Sequence, residues 1–288
     1  MLHGRFDDSS DPPQTTMKPQ AIVRSVLVDP GDKPGLAQRD TGDYLGYVDK
    51  AAGQERLDEL TAELVVQQKK LWAESKQSLL LVLQGLDTAG KDGTIRHVLT
   101  GLNPHGFRIV SFSAPTHTEL GHDYLWRVHA HCPARGEIGV FDRSHYEDVV
   151  TVGVHRLEPK SVWSKRPHHI CEFERMLTDE GTTIVKVFLH ISKDEQRERL
   201  QARLDDSQKA WKFQPGDLND RNLWDHNIKA YEDVIEKTST AWAPWHVVPA
   251  DHKWVRNVAV AELLVHTLKA MNPEFPRPDP NLEGFHVE

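Results

Sequence analysis

The chain reads as an α/β fold built on a phosphate-binding loop (P-loop), with a parallel sheet covered by helices on both faces. Three observations predict this. Apolar runs alternate with helix-period segments, the pattern of strand–helix–strand units. Gly85-Leu86-Asp87-Thr88-Ala89-Gly90-Lys91 follows the run Leu79-Leu80-Leu81-Val82-Leu83 and precedes a helix-competent stretch from Thr94. A strand, a Gly-x-x-x-x-Gly-Lys loop and a helix together make a phosphate cradle. A second apolar run, Val140-Phe141, ends in Asp142-Arg143, the acidic partner expected beside such a loop.

The elements follow in order. Residues 1 to about 20 are rich in Asp, Ser, Pro and Gln and read as a mobile arm. Pro30, Pro34 and several glycines make 26–50 a surface wrap without regular structure, so the arm as a whole spans 1–50. Leu57, Leu60, Leu64 and Leu71 recur at helical spacing and predict a helix over 54–75. Strands are predicted at 78–84, 107–112, 137–141, 183–190 and 245–248, with helices at 118–129, 223–237 and 254–271. Ser192 with Glu195 three residues later predicts a capping box before another helix. Residues 51–271 thus form one domain, and 272–288 a Pro-rich tail. Ligands of such a sheet bind at the carboxyl ends of its strands, where the loop and Asp142 both fall.

Composition narrows the function. The chain has 288 residues, 38% of them hydrophobic, enough for a sizeable core. A net charge of −8 argues against wholesale nucleic-acid binding. Cys132 and Cys171 are the only cysteines and give no disulfide framework. No apolar run is long enough for a membrane span, and the N-terminus lacks the apolar core of a signal peptide. The expectation is a soluble cytoplasmic protein with no nucleic-acid or membrane partner. The pairs His129/His131 and His168/His169 lack the spacing of a closed zinc site and read as ordinary histidines.

The chemistry concentrates in the two motifs. Backbone N–H groups of the loop, Gly85, Ala89 and Gly90 among them, would cradle phosphates, with Lys91 adding a full positive charge. The usual Ser or Thr after the lysine is replaced by Asp92, and an extra carboxylate, Asp87, sits within the loop. A carboxylate among phosphates is repelled unless a cation lies between them, so Asp87 is a candidate magnesium ligand. The alternatives are a solvated turn residue for Asp87 and a helix N-cap for Asp92. Asp142 could hold metal or polarise the attacking group, and Arg143 could neutralise the transferring phosphoryl. A phosphotransferase must also exclude water. Two charged segments, 144–178 and 197–222, could form a lid. The first carries Lys160, Lys165, Arg166 and Arg175, and the second Arg197, Arg199, Arg203, Lys209 and Lys212. Arg199 and Arg203 lie four apart, on one helical face.

Several separated stretches then resemble the type 2 polyphosphate kinases, which move phosphate between inorganic polyphosphate and nucleotides. These are GLDTAGKDGTIRHV (85–98), GLNP (101–104), DYLWRVH (123–129), GEIGVFDRSHYEDV (136–149), FLHISKDEQRERLQAR (188–203), WKF with Asp217 (211–217) and APWHVVPADHKWVRN (243–257). The resemblance covers about residues 45–271. It implies a thymidylate-kinase-like fold with a helical lid and a homo-oligomer, dimer or tetramer. Asp87 and Asp142 would be catalytic and metal-linked, with magnesium as cofactor. Lys91 and Arg143 would bind the transferring phosphates, Arg199 and Arg203 would be lid arginines, and Arg127 would lie on the nucleotide side. Lys212, Asp251, Lys253 and Arg256 match recurrent positions. The implied substrates are polyphosphate and purine nucleotides, in the group accepting both AMP and ADP. Pro167 departs from the aromatic residue expected near the start of the lid. The other readings are an ATP-dependent nucleotide or small-metabolite kinase of the same fold, and a P-loop module that only senses phosphates.

Overall fold

The strands expected from the apolar runs join one sheet, whose order decides where the chemistry collects. The computed structural model describes residues 19–213 and 215–280. The expected arm up to residue 18 and the last eight residues of the tail lie outside them.

The elements run α1 (Pro19–Val26), β1 (Leu27–Val28), α2 (Lys50–Glu74), β2 (Ser78–Gly85), α3 (Lys91–Val98), β3 (Phe107–Ser111), α4 (His117–Leu120), α5 (Trp126–His129) and β4 (Ile138–Asp142). There follow α6 (Glu147–Val154), α7 (Lys160–Trp163), α8 (Arg166–Asp179), β5 (Thr182–His190), α9 (Lys193–Asp205), α10 (Pro215–Asn222), α11 (Trp224–Thr238), β6 (Trp245–Pro249) and α12 (Lys253–Met271). The sheet order is β1-β6-β5-β2-β4-β3, with β1 antiparallel to β6 and every other pairing parallel.

β2 therefore lies between β5 and β4, and every one of its residues is buried. Burial on both faces explains why its sequence is a continuous apolar run rather than an alternation. Its register pairs Leu83 with Asp142, so the loop that begins at Gly85 and the acidic end of β4 emerge side by side. Leu57, Leu60, Leu64 and Leu71 of α2 pack with α12 on one face of the sheet. α6, α8 and α11 cover the other. Asp49 caps α2, its carboxylate accepting from Ala52 N at 2.9 Å, so the helix starts at Lys50, four residues before the expected start at 54.

Four expectations change. The segment 144–178 is not a lid over its second half: α8 buries Ile170, Phe173 and Leu177 against the sheet and α11. Pro167 sits in the first turn of α8, where its missing N–H costs nothing. The predicted helix 118–129 is two single turns, because Asp123 accepts from Leu125 N at 3.0 Å and forms an Asx turn between them. α1 falls partly within the expected arm, and β1 within the expected surface wrap. The wrap is anchored, with Leu36, Leu45 and Tyr47 buried and Glu232 accepting from Gly35 N and Leu36 N. Finally, only half of the predicted capping box forms. Ser192 Oγ accepts from Glu195 N, but Asp251 takes the Ser192 N–H and Glu195 turns to Arg199.

Beneath the sheet, Lys186 and Glu174 meet at 2.6 Å with both side chains fully buried. Lys186 Nζ also donates to the Tyr146 hydroxyl and Thr238 O, and His145 Nε2 lies 3.2 Å from Glu174. Burial pushes the Glu174 carboxyl up, but Lys186 and His145 outweigh it and hold it below its ordinary range. Breaking a buried pair leaves an uncompensated charge. Glu174→Ala is therefore expected to lower unfolding free energy by about 3–5 kcal/mol in urea denaturation. A loss below about 1 kcal/mol would mean that the pair does not secure α8 to the sheet.

Candidate active site

The loop's shape is forced by what surrounds it. Gly85 has φ +156, and a Cβ there would stand 2.9 Å from Leu189 O. Gly90 caps α3 at φ +106, and a Cβ there would lie 1.8 Å from Arg256 Nη1. Thr88 is held at φ +63, a costly conformation for a β-branched residue. Arg199 accounts for it: Nη1 donates to Thr88 O and Ala89 O, and Nη2 to Ala250 O and Asp251 O, at 2.7–3.2 Å. Arg256 Nη1 adds a bond to Ala89 O at 3.1 Å. Lys91 is buried at the start of α3 and folds back to donate to Gly85 O at 2.8 Å. Burial and the nearby Arg143 lower its pKa, against the pull of Asp87 and Asp142.

Asp142 ends β4 with Oδ1 buried and without a hydrogen-bond donor. Burial pushes its carboxyl up despite Lys91, and Asp92 pushes it further. The Asp92 carboxyl, in turn, is pushed up by partial burial but is held below its ordinary range by Asp142 and Lys212. Lys212 Nζ lies 3.2 Å from Asp92 Oδ2. Gly90, not Asp92, occupies the N-cap of α3, and Asp92 lines the same cleft as Asp142. Arg143 follows at φ +62. Its N–H donates to Leu83 O at 3.1 Å, and its Nη2 to Asp87 Oδ1 at 2.9 Å.

These groups open into a cleft of about 800 Å³. It is lined by Lys91, Arg143, Arg199, Arg203, Lys209, Lys212 and Lys253, against Asp87, Asp92, Asp142 and Asp217. Trp211, 75% exposed, stands at its wall with Lys212 Nζ 5.4 Å from the ring. A second cavity of about 520 Å³ adjoins it, sharing Arg143, Phe112, Ser113 and Ala114. Its wall carries Tyr124, Leu120, Leu157, Arg127, Asp148 and Arg166.

The expected site residues therefore divide. Asp87, Lys91, Asp142, Arg143, Arg203 and Lys212 converge on the cleft, while Arg127 lines the second cavity. Arg203 pairs with Asp217 of α10 at 3.4 Å. Arg199 lines the cleft, but it is a clamp rather than a mobile lid arginine, since Glu195 and four carbonyls occupy all three of its nitrogens. Arg127 donates to Ser113 O and lies 3.4 Å from Asp148. Arg166 belongs to the second cavity rather than to a lid, bonded to Asp148 O and to both oxygens of Glu158. Arg175 and Arg197 face outward, each more than half exposed beside an acidic neighbour on its own helix. The sequence reading missed Asp148, Glu158, Tyr124 and Phe112. They lie on separate elements, and only the fold brings them together.

Comparison with known proteins gives the family. The family model described as polyphosphate kinase 2 (PPK2) matches residues 47–276. An AMP/ADP-polyphosphate phosphotransferase from Meiothermus ruber is 53% identical over 267 residues, covering 92% of this chain and 100% of the relative. An ADP-polyphosphate phosphotransferase from Rhodopseudomonas palustris is 41% identical, covering 90% of this chain and 93% of its own. The crystal structure of polyphosphate kinase 2 from Arthrobacter aurescens superposes with a TM-score of 0.88 at 43% identity, over 94% of this chain and 96% of that one. With most of its length matched in sequence and in fold, the chain belongs to the polyphosphate kinase 2 family.

Proposed function

We propose that the protein transfers phosphoryl groups from inorganic polyphosphate to purine nucleoside mono- and diphosphates, AMP and ADP among them, reversibly. The observation that carries this reading is the pair of cavities meeting at Arg143. The larger is cationic and open enough for an extended polyanion. The smaller is lined by rings, aliphatic groups and two buried arginines beside Glu119, Glu147, Asp148 and Glu158, a setting suited to a base and a sugar with a short phosphate toward the arginines. The names of the relatives support the same substrates.

Donor phosphates would lie along Lys253, Lys209, Lys212 and Arg203, with the terminal phosphoryl over the loop amides and Lys91. The acceptor phosphate would approach from the second cavity, with Arg143 against the group in transit. Its oxygen is already anionic near neutral pH, so no strong general base is needed. The residues also fit a divalent cation, because Asp142 Oδ1 is buried with no donor and Asp87 lines the same cleft. No group of three or more metal-ligating side chains exists among the described residues. That suits magnesium, which takes one or two carboxylates and completes its shell with water and substrate oxygens. Asp142 and Asp87 would hold it, and when bound it would neutralise charge on the phosphates. The segment 197–222, apart from the clamped Arg199, would serve as the lid, and 51–271 as the catalytic unit.

The test is nucleotide formation by purified protein given magnesium, long-chain polyphosphate and either AMP or ADP, with no other donor. ATP from both acceptors is the expected result. ATP from ADP alone would restrict the acceptor class. No product with polyphosphate but turnover with ATP as donor would overturn the reading in favour of an ordinary kinase.

A further inference from the structure

Arg256 is a buried charge that no carboxylate partners among the described residues. It is 2% exposed, in the first turns of α12 and directly behind the phosphate loop. Among the described residues no carboxylate lies within ion-pair distance of it. Its donors go only to neutral oxygens: Nη1 to Ala89 O at 3.1 Å, Nη2 and Nε to Asn257 Oδ1 at 2.9 and 3.2 Å. Its other charged neighbours repel it. Burial, and then Arg199, lower its pKa to about 9. Lys253 on the same turn is lowered likewise, by burial and by Arg199, Glu195 opposing.

The loop is built around this guanidinium. A Cβ at Gly90 would overlap Nη1, and one at Gly93 would stand 3.0 Å from Nη2. Two glycines in the loop and its helix thus let the charge come up against the backbone that faces the cleft. A buried, unpaired cation disfavours the folded state. An anion on the other side of the loop would give it a partner.

We propose that Arg256 is a positioning residue of the donor site, a fixed counter-charge whose anionic partner is the bound phosphate chain. This rests on the reading that polyphosphate occupies the loop cleft. Arg256 touches no substrate. It acts through Ala89 and the loop, and by raising the local positive potential where few water molecules can screen it. The free protein is then less stable than it could be, and binding of the chain relieves that.

The experiment compares wild type, Arg256→Met and Arg256→Lys. Melting temperature is measured without ligand and with long-chain polyphosphate alone, and KM is measured for polyphosphate and for nucleotide. Arg256→Met is expected to melt at or above the wild-type temperature without ligand. It should lose more than about half of the polyphosphate-induced rise. Its KM for polyphosphate should increase on the order of tenfold while its nucleotide KM stays within about twofold. Arg256→Lys, which keeps the charge, should hold most of both properties. This variant also carries the test if Arg256→Met does not fold, since a lysine protein with wild-type ligand-free stability but a polyphosphate KM raised on the order of tenfold overturns the charge argument. Arg256→Met that melts lower without ligand and gains the full polyphosphate-induced rise overturns the proposal and leaves Arg256 structural. A wild-type protein that polyphosphate neither stabilises nor serves as donor overturns the donor reading itself, and this proposal with it.

Discussion

Asp142→Asn is expected to lower kcat by on the order of 10³-fold while leaving the ligand-free protein at least as stable as its parent. The two effects have one cause. The carboxylate is held where charge is costly, with Oδ1 buried and lacking a donor and with Asp92 opposite. Asparagine keeps the shape and removes the charge. The sign follows from the shift. Burial, with Asp92 adding to it, raises the folded-state pKa of Asp142 above the ordinary carboxylate value. The folded protein therefore holds that proton more tightly than the unfolded chain does. The stability this gives is present below the ordinary value and is lost as pH rises through the raised one. Asp92 shifts the opposite way, and the two lose their protons as a unit. The melting temperature of the variant relative to wild type should thus rise from acid toward neutral pH. If magnesium binds Asp142 as proposed, proton and magnesium would compete for the same oxygen, and apparent magnesium affinity should weaken as pH falls through the raised value. Retention of kcat within about tenfold, roughly 1.4 kcal/mol of barrier, would remove Asp142 from the chemistry. A variant less stable than wild type at every pH would show that the carboxylate is not strained by its surroundings.

What could be read from the chain before its fold was known follows the range of the interactions. The loop motif is local, and each of its glycines answers to a contact in the structure, Gly85 to Leu189 O and Gly90 to Arg256. The apolar runs of β2 and β5 announce central strands because both of their faces are buried. β1 has two residues and no period to detect; its place comes from pairing with β6. Charge alone could not separate lid from core. Arg166, Arg175, Arg199 and Arg203 look alike in the sequence, yet Arg166 is buried against Glu158 and Asp148, and Arg175 is on the surface. Arg199 grips the loop, and Arg203 reaches the cleft. Lys186 is still less legible, a lysine in the middle of a core strand whose partner Glu174 belongs to another element. The Asp92–Asp142 encounter joins residues fifty positions apart in number and adjacent only through the β2–β4 register.

Arg143 tests the same division between stability and function from the side of the backbone. It holds φ +62, a conformation that favours glycine and costs other residues on the order of 1 kcal/mol. Its ion pair with Asp87 at 2.9 Å is partly exposed, with side chains 44% and 23% accessible, so that pair contributes little. Arg143→Gly should consequently leave unfolding free energy unchanged or raise it by up to about 1 kcal/mol in urea denaturation. The same substitution should lower kcat by on the order of 10³-fold or more, the range seen when an arginine that neutralises a transferring phosphoryl is lost. Arg143→Lys distinguishes charge from geometry. A lysine keeps the charge but cannot at once pair with Asp87 and present a planar fork to the wall shared by the two cavities. It should retain the backbone strain and recover only a minor part of the rate. A lysine enzyme near wild-type kcat would reduce Arg143 to a point charge. A glycine variant that unfolds more than about 1 kcal/mol more easily would show that the side chain, not the register of β4 against β2, holds the turn.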